Sequence, residues 1–243
     1  MYSIRNPPKA ISHRGLRHDV PENSIAAFNA AILAGAEGIE LDVHASSDGV
    51  VFVHHDPVVV TAGGVSLPIA TAPAAEMDDT MLADGKPVPR LDDVLEAIGT
   101  AAEVFVEVKG IGIETYVAAC LGRHFSKCGA YAVHAFDHRT VKRMLELGAS
   151  LRTGILQVAY PISSTTAMRA AGASDLWQQQ ELVDDGLVQD VHSVGGRVIV
   201  WTSNDEASWE RLTSLGVDGI CTDRVDDYVA WRAARQSRAS TVA

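Results

Sequence analysis

Gly38-Ile39-Glu40-Leu41-Asp42-Val43 sets two carboxylates two residues apart inside an otherwise apolar run. Side chains two apart on a strand point to one face, so Glu40 and Asp42 share a face, and like charges that close need a cation. Outward from this run, short Val- and Ile-rich stretches alternate with segments of helical period, the pattern of βα units around a parallel sheet. The strands read as Ile11-Ser12-His13, Gly38 to Val43, Val104 to Val108, Tyr131 to Phe136, Arg152 to Leu156, Ser174 to Gln178, Arg197 to Thr202 and Gly219 to Thr222. Each is followed by a helical segment. The first spans about Ser24 to Ala34, capped by Asn23 or Ser24 and buried through Ile25, Phe28, Ala31 and Ile32; the last spans Val225 to Arg235 and trails into a fraying polar tail. With 243 residues and 25.9 kDa, the expected fold is α/β, a (β/α)8 barrel built as one domain over residues 1–243.

One segment departs from the alternation. Asp48-Gly49 is a turn signal and Val50 to His55 follows as a further strand, predicting a small hairpin after the second strand. Thr61 to Arg90, with Gly63-Gly64, Pro68, Pro73, Pro87 and Pro89, reads as an irregular loop insertion before a helix over Leu91 to Ile98.

Composition bounds the function. No stretch reaches the roughly 20 apolar residues of a membrane span. Met1 to Lys9 lead into no apolar run with a cleavage site, so a cytoplasmic location is the expectation. Cys120, Cys128 and Cys221 contain no CxxC pair and read as reduced, buried thiols. A net charge of −11 argues against nucleic acid as a partner. An anionic substrate must therefore meet locally positive chemistry.

Barrel enzymes place their chemistry at the carboxyl ends of the strands. Glu107 and Lys109 in Val106-Glu107-Val108-Lys109 share a face as Glu40 and Asp42 do. Glu40, Asp42 and Glu107 thus form a candidate ligand set whose oxygens suit a hard divalent ion, Mg2+ or Ca2+, and the lack of a Cys/His cluster argues against structural zinc. His13 ends the first strand, and His55 follows the hairpin. Cleaving a phosphodiester requires one group to take a proton and another to give one, and histidine titrates near neutral pH.

In order and spacing, His13-Arg14-Gly15, Pro21-Glu22-Asn23-Ser24, Glu40-Leu41-Asp42-Val43, His55-Asp56, Glu107-Val108-Lys109, Trp201-Thr202-Ser203-Asn204 and Gly216-Val217-Asp218-Gly219-Ile220 resemble the glycerophosphodiester phosphodiesterases nearly end to end. Ser24 stands where that family often has Thr, and Ser203 where Val is common. The resemblance implies a TIM barrel, a metal on Glu40, Asp42 and Glu107, and His13 with His55, rather than His54, as the acid–base pair. It also implies Arg14 as a phosphate ligand, Lys109 as a second positive charge and Trp201 as an aromatic wall, the last also readable as a buried barrel residue. The implied reaction takes a small-molecule glycerophosphodiester to glycerol 3-phosphate and an alcohol: one histidine deprotonates the glycerol 2-hydroxyl, the other protonates the leaving alcohol, and a cyclic phosphate is then hydrolysed.

Two further readings share the residues. A phospholipase D-like or phospholipase C-like enzyme would act on a lysophospholipid or stop at the cyclic product, and a noncatalytic barrel would bind phosphate esters without turnover. His18, His44, His124, His134, His138 and His192 read as surface or satisfied loop residues, and Asp78-Asp79 and Asp184-Asp185 as solvated faces. Arg232, Arg235 and Arg238 read as complementing the last helix's dipole. Nothing in the residues chooses between Mg2+ and Ca2+, names the alcohol or sets an oligomeric state.

Overall fold

The computed structural model describes residues 7–125, 130–148 and 151–242, with side chains as far as 237. The strands are β1 (Lys9–His13), β2 (Gly38–Ala45), β3 (Val51–Val53), β4 (Val58–Val60), β5 (Ser66–Pro68), β6 (Glu103–Val108), β7 (Tyr131–Ala135), β8 (Arg152–Gln157), β9 (Asp175–Gln179), β10 (Arg197–Trp201) and β11 (Gly219–Thr222). β1, β2 and β6 to β11 pair in parallel in the order β1-β11-β10-β9-β8-β7-β6-β2, and pairing of β1 with β2, from Ile11 opposite Gly38 to His13 opposite Glu40, closes the ring. This is the (β/α)8 barrel read from the sequence, with β3 added antiparallel to the end of β2.

The helices are α1 (Ile25–Leu33), α2 (Ala74–Asp79), α3 (Leu91–Ile98), α4 (Glu114–His124), α5 (His138–Glu146), α6 (Thr166–Ala171), α7 (Asp185–Ser193), α8 (Glu206–Leu215) and α9 (Val225–Val242). Four of them, α1, α5, α7 and α8, start where short polar side chains accept from backbone amides left unpaired in the first turn: Ser24 from Ala27, Asp137 from Arg139, Asp184 from Leu187 and Asp205 from Ser208. Asp184 is exposed, as a solvated face would be, and also caps α7, while Asp78 pairs through both oxygens with Arg90. Ser24, not Asn23, caps α1; its buried face is Ala27, Phe28 and Ala31, with Ile25 and Ile32 only partly covered. α9 does not fray after Arg235 but runs on to Val242, and Tyr228 and Arg232 tie it to the Pro8 carbonyl at the start of the chain. Cys128 and the side chain of Arg238 lie outside the described residues.

The loop insertion is more ordered than expected. β4 and β5 pair antiparallel, a 3-10 turn (Ile69–Thr71) and α2 follow, and Phe52, Val59, Ile69, Ala72, Ala74, Met77 and Val88 bury a small core of their own. Its prolines stand at strand edges and helix starts, where no amide donor is needed.

Inside the barrel the strands stack three layers. At the amino-terminal end, Arg197 spans Asp175 and Glu103, Lys9 also pairs with Glu103, and Arg152 reaches Asp175, making an ionic floor. Above it lies an apolar layer of Ile11, Phe105, Ala132, Leu156, Trp177, Ile199 and Cys221. Two residues further along several strands come His13, Glu107, His134, Trp201 and, just past β11, Asp223. Alternation within each strand sends the intervening residues, such as Leu41, Val106 and Val133, outward into the main core under the helices.

Candidate active site

The carboxyl end of the barrel holds a cavity of about 250 Å3 lined by His13, Arg14, Glu40, His55, Glu107, Lys109, His134, Phe136, Leu156, Trp177, Trp201, Thr202 and Cys221. Most of the residues read from sequence as a site meet here. His55 lines this cavity, whereas His54 lines a separate one of about 590 Å3 between α1 and the insertion, so the two adjacent histidines do face apart.

The turn after β1 is built for close approach. Gly15 has φ of 87°, and a Cβ there would stand 2.6 Å from that of Ala27, so only glycine lets the His13-Arg14 turn pack against α1. Arg14 itself holds φ of 58° and Asn23 54°, conformations that side chains rarely adopt and that surrounding contacts must maintain. Those contacts are present: the Asn23 amide donates to Asp42 Oδ2 at 2.9 Å, and the Arg14 guanidinium lies 3.0 Å from that oxygen and 2.9 Å from Glu22 Oε1.

Glu40 and Glu107 line the cavity, Asp42 lies two residues beyond Glu40 on β2 without lining it, and all three are buried. Lys109 stands 3.0 Å from Glu107 and 3.4 Å from Asp42. Burial, then the charges of Asp42 and Glu107, push the Glu40 carboxyl well above the usual carboxylate range; burial likewise raises Glu107 despite Lys109. For Asp42 burial also acts upward, but Arg14, Lys109 and the Asn23 hydrogen bond outweigh it and hold the carboxyl below its ordinary value. Glu40 Oε2 and Asp42 Oδ1 are buried without a hydrogen-bond partner. Asp42 Oδ1 has the Lys109 ammonium 3.4 Å away, whereas Glu40 Oε2, buried and unpaired beside the charges of Asp42 and Glu107, fits a divalent cation, which would answer both the charge and the missing partner.

Two of the three histidines lining the cavity, His13 and His55, have Nδ1 held by an aspartate. His13 Nδ1 lies 2.7 Å from Asp223 Oδ1, and His55 Nδ1 lies 2.7 Å from Asp56 Oδ1. Burial alone would raise the Asp223 carboxyl, but hydrogen bonding and charge from His13, with Asn204 and Arg17, lower it, so an ionised acceptor faces His13 and the imidazole N–H donates from Nδ1. Nε2 is then the ring nitrogen left without that proton, 4.0 Å from Glu40 Oε2. Asp223 is itself fixed by Asn204, whose amide donates to Oδ2 at 2.8 Å while its carbonyl accepts from the Asp223 backbone N–H at 2.9 Å. The imidazole of His44 reaches the His55 carbonyl at 3.1 Å.

Trp201 is partly buried. It packs against the apolar layer and also lines the cavity, its ring edge-to-face with Phe136 at 5.5 Å.

Several site residues were not foreseen. Asp223 lies at the end of the last strand, in the position from which a barrel presents chemistry, and that rule was the signal that could have found it. Asn23 and Asn204 sit inside motifs quoted for the resemblance without a role given to them. His134 is neither a surface nor a loop residue: it lies on β7, 1% exposed, and its Nε2 is 3.8 Å from Glu40 Oε1. Glu40, Glu107 and His134 offer ligand atoms all within 4.8 Å of one another, a group that does not include Asp42, whose carboxylate is turned to Arg14, Lys109 and Asn23.

A parallel barrel with convergent acids, two aspartate-held imidazoles and two cations at its carboxyl end is the equipment of a metal-assisted hydrolase of anionic esters. Residues 13–227 match the glycerophosphoryl diester phosphodiesterase family, and the chain belongs to that family. It is 30% identical over 226 residues to the glycerophosphodiester phosphodiesterase of Caldanaerobacter subterraneus subsp. tengcongensis, covering 88% of this chain and 93% of that protein. It is also 30% identical over 230 residues to YhdW of Bacillus subtilis, covering 89% of this chain and 94% of that protein. Among solved structures, glycerophosphodiester phosphodiesterase from Agrobacterium tumefaciens superposes with a TM-score of 0.80 at 27% identity, covering 92% of this chain and 99% of the other. An Oleispira antarctica phosphodiesterase in complex with the product sn-glycerol-3-phosphate shares the fold with a TM-score of 0.82 at 22% identity over 93% and 96% of the two chains. The enzyme class is accordingly that of the glycerophosphodiester phosphodiesterases.

Proposed function

We propose that this chain cleaves small glycerophosphodiesters to glycerol 3-phosphate and an alcohol, with His13 and His55 as the proton-transfer pair beside a divalent ion on Glu40, Asp42 and Glu107. The observation that carries this reading is the meeting, in one cavity, of the buried Glu40 and Glu107 carboxylates, with Glu40 Oε2 lacking a partner, and two imidazoles held through Nδ1. The imidazole that starts neutral takes the proton of the attacking hydroxyl through Nε2, and the other returns one to the departing alkoxide; each aspartate steadies the imidazolium that results. Arg14 and Lys109 supply positive charge to the phosphate, and Trp201 with Phe136 walls the rest of the substrate. A bound ion would polarise the phosphoryl group and lower the pKa of a coordinated hydroxyl. If carboxylates alone hold it, Mg2+ or Ca2+ is expected.

A cavity of about 250 Å3 falls just below the usual range for ligand pockets, roughly 300–1,000 Å3, which favours a small headgroup ester over a lipid carrying its acyl chain. The Oleispira protein's product supports the same substrate class. We read the setting as cytoplasmic. No helix among the described residues is long and apolar enough to cross a membrane, and Cys120 and Cys221 are unpaired, buried thiols, with burial pushing the Cys120 thiol up to about 12.

The test is release of glycerol 3-phosphate from glycerophosphocholine and glycerophosphoethanolamine, with chelator and then with metal restored. Release that stops and returns supports the reading; none under any metal condition overturns it. Phosphorus NMR of the products separates hydrolysis from the cyclising alternative, in which the cyclic phosphate persists.

A further inference from the structure

His134 occupies an environment that neither its strand nor its immediate neighbours account for. Parallel register sets it opposite Glu107 on one side and Gly154 on the other. A Cβ at Gly154 would stand 2.9 Å from Trp177 Cδ1, so the missing side chain is what lets the indole swing across. The indole lies flat on the His134 imidazole, centroids 4.2 Å apart and planes 7° apart, and the Phe105 ring meets the indole edge-on at 5.2 Å. Packing alone fixes the plane of the imidazole and aims Nε2 at the Glu40 carboxylate.

That orientation secures no hydrogen bond. Nδ1 is buried without a partner, and the 3.8 Å from Nε2 to Glu40 Oε1 is too long for one. A neutral imidazole with neither nitrogen committed to a hydrogen bond keeps a lone pair to offer. Two donors each about 2.1 Å from one ion stand roughly 3.0 to 4.2 Å apart, depending on the angle between them. The separation from Glu40 falls in that range, and the whole group of Glu40, Glu107 and His134 is contained within 4.8 Å.

We propose that His134 Nε2 is a ligand of the active-site metal alongside Glu40 and Glu107, and that this nitrogen makes the site select a first-row transition ion such as Mn2+ or Co2+ over Mg2+ and Ca2+. The proposal rests on the metal site of the preceding section and concerns which donors hold the ion. Imidazole bonds transition ions well and hard alkaline-earth ions poorly, so a single nitrogen in an oxygen set shifts selectivity in that direction. The same assignment explains a buried ring held in place by stacking while both its nitrogens lack hydrogen bonds.

Binding is measurable without turnover. Metal-free protein is titrated with Mn2+, Co2+, Mg2+ and Ca2+ by calorimetry, and the Mn2+ form is read by electron spin-echo modulation for coupling to nitrogen. The expected results are nitrogen coupling in the wild type, its loss in His134→Gln, and Co2+ affinity weakened at least about tenfold in that variant while Mg2+ affinity holds. His134→Asn is the second variant should glutamine disturb the fold, which circular dichroism reports. Mn2+ bound without nitrogen coupling in the wild type, or coupling that survives both substitutions, overturns the assignment and leaves the carboxylate site standing. Failure of every ion to bind overturns both, and Glu40→Gln identifies that case because it then changes nothing in the titrations.

Discussion

Replacing Asp223 by asparagine tests whether the aspartate behind His13 sets the working state of the imidazole. The substitution keeps the shape and the backbone hydrogen bond from Asp223 to Asn204. What changes is the group 2.7 Å from Nδ1. An amide turned to keep its contact with Arg17 still accepts from Nδ1 but without charge; turned the other way it donates, and it then stabilises the tautomer with its proton on Nε2, the nitrogen that should be receiving one. A charge-assisted hydrogen bond replaced by a neutral or inverted one, in a half-buried site, should cost on the order of a hundredfold in kcat, about 2.7 kcal/mol of barrier, with KM changed far less because Asp223 does not line the cavity. The assay is steady-state glycerol 3-phosphate release with a saturating metal. Nitrogen NMR of the imidazole gives an independent readout, since the Nδ1–H form should give way to the Nε2–H form. A kcat within threefold of wild type, in a variant with unchanged thermal midpoint, would refute the role given to Asp223.

Three other outcomes follow from the same geometry. His13→Ala and His55→Ala should each lower kcat by roughly 10²–10⁴-fold while leaving metal affinity close to wild type, measured by turnover and calorimetry side by side. A metal at 100 times its Kd should stabilise the fold by about 2.7 kcal/mol, visible as a raised Tm that Glu40→Gln abolishes. At the barrel floor, burial would raise the Glu103 carboxyl, but Lys9 and Arg197 outweigh it and depress the folded-state value below the ordinary 4.5. A depressed carboxyl contributes stability that is present above its unfolded pKa and lost as pH falls through the folded one, so the Tm of wild type should drop steeply below about pH 4.5. Glu103→Gln should lose about 2 kcal/mol at pH 7, roughly 4 to 8 °C of Tm, and show a shallower acid limb; parallel Tm–pH curves for the two proteins would contradict this.

The barrel was legible because its strands carry their own signature. Val106-Glu107-Val108 and Gly38-Ile39-Glu40-Leu41-Asp42-Val43 each show apolar residues outward and acids inward, and that parity survives in the structure. The hairpin was legible through Asp48-Gly49. The insertion was not, because its core draws on Phe52 and Val88 together, and proline spacing alone says only where a helix or ladder stops. Site residues were legible where a local motif surrounds them, as with His13, Arg14 and His55. His134 is flanked by Val133 and Ala135, which announce only a strand; its approach to Glu40 depends on β6 pairing with both β2 and β7 and on the space opened by Gly154, neither of which is written near residue 134. Asp223 meets His13 across 210 positions, through the pairing of the last strand with the first.

The apolar layer of Ile11, Phe105, Ala132, Leu156, Trp177, Ile199 and Cys221 lies between the acidic cluster and the ionic floor, and closes the barrel to water from below. An ion can therefore reach Glu40 and Glu107 only by the mouth through which the ester must also pass. For an ion held there, the shared entrance predicts an order of addition: metal first, ester second, and the metal released only after the product. Glycerol 3-phosphate held in the cavity should act as a stopper, slowing extraction of the ion by chelator in proportion to its occupancy, a kinetic protection that needs no contact between product and metal beyond sharing one exit.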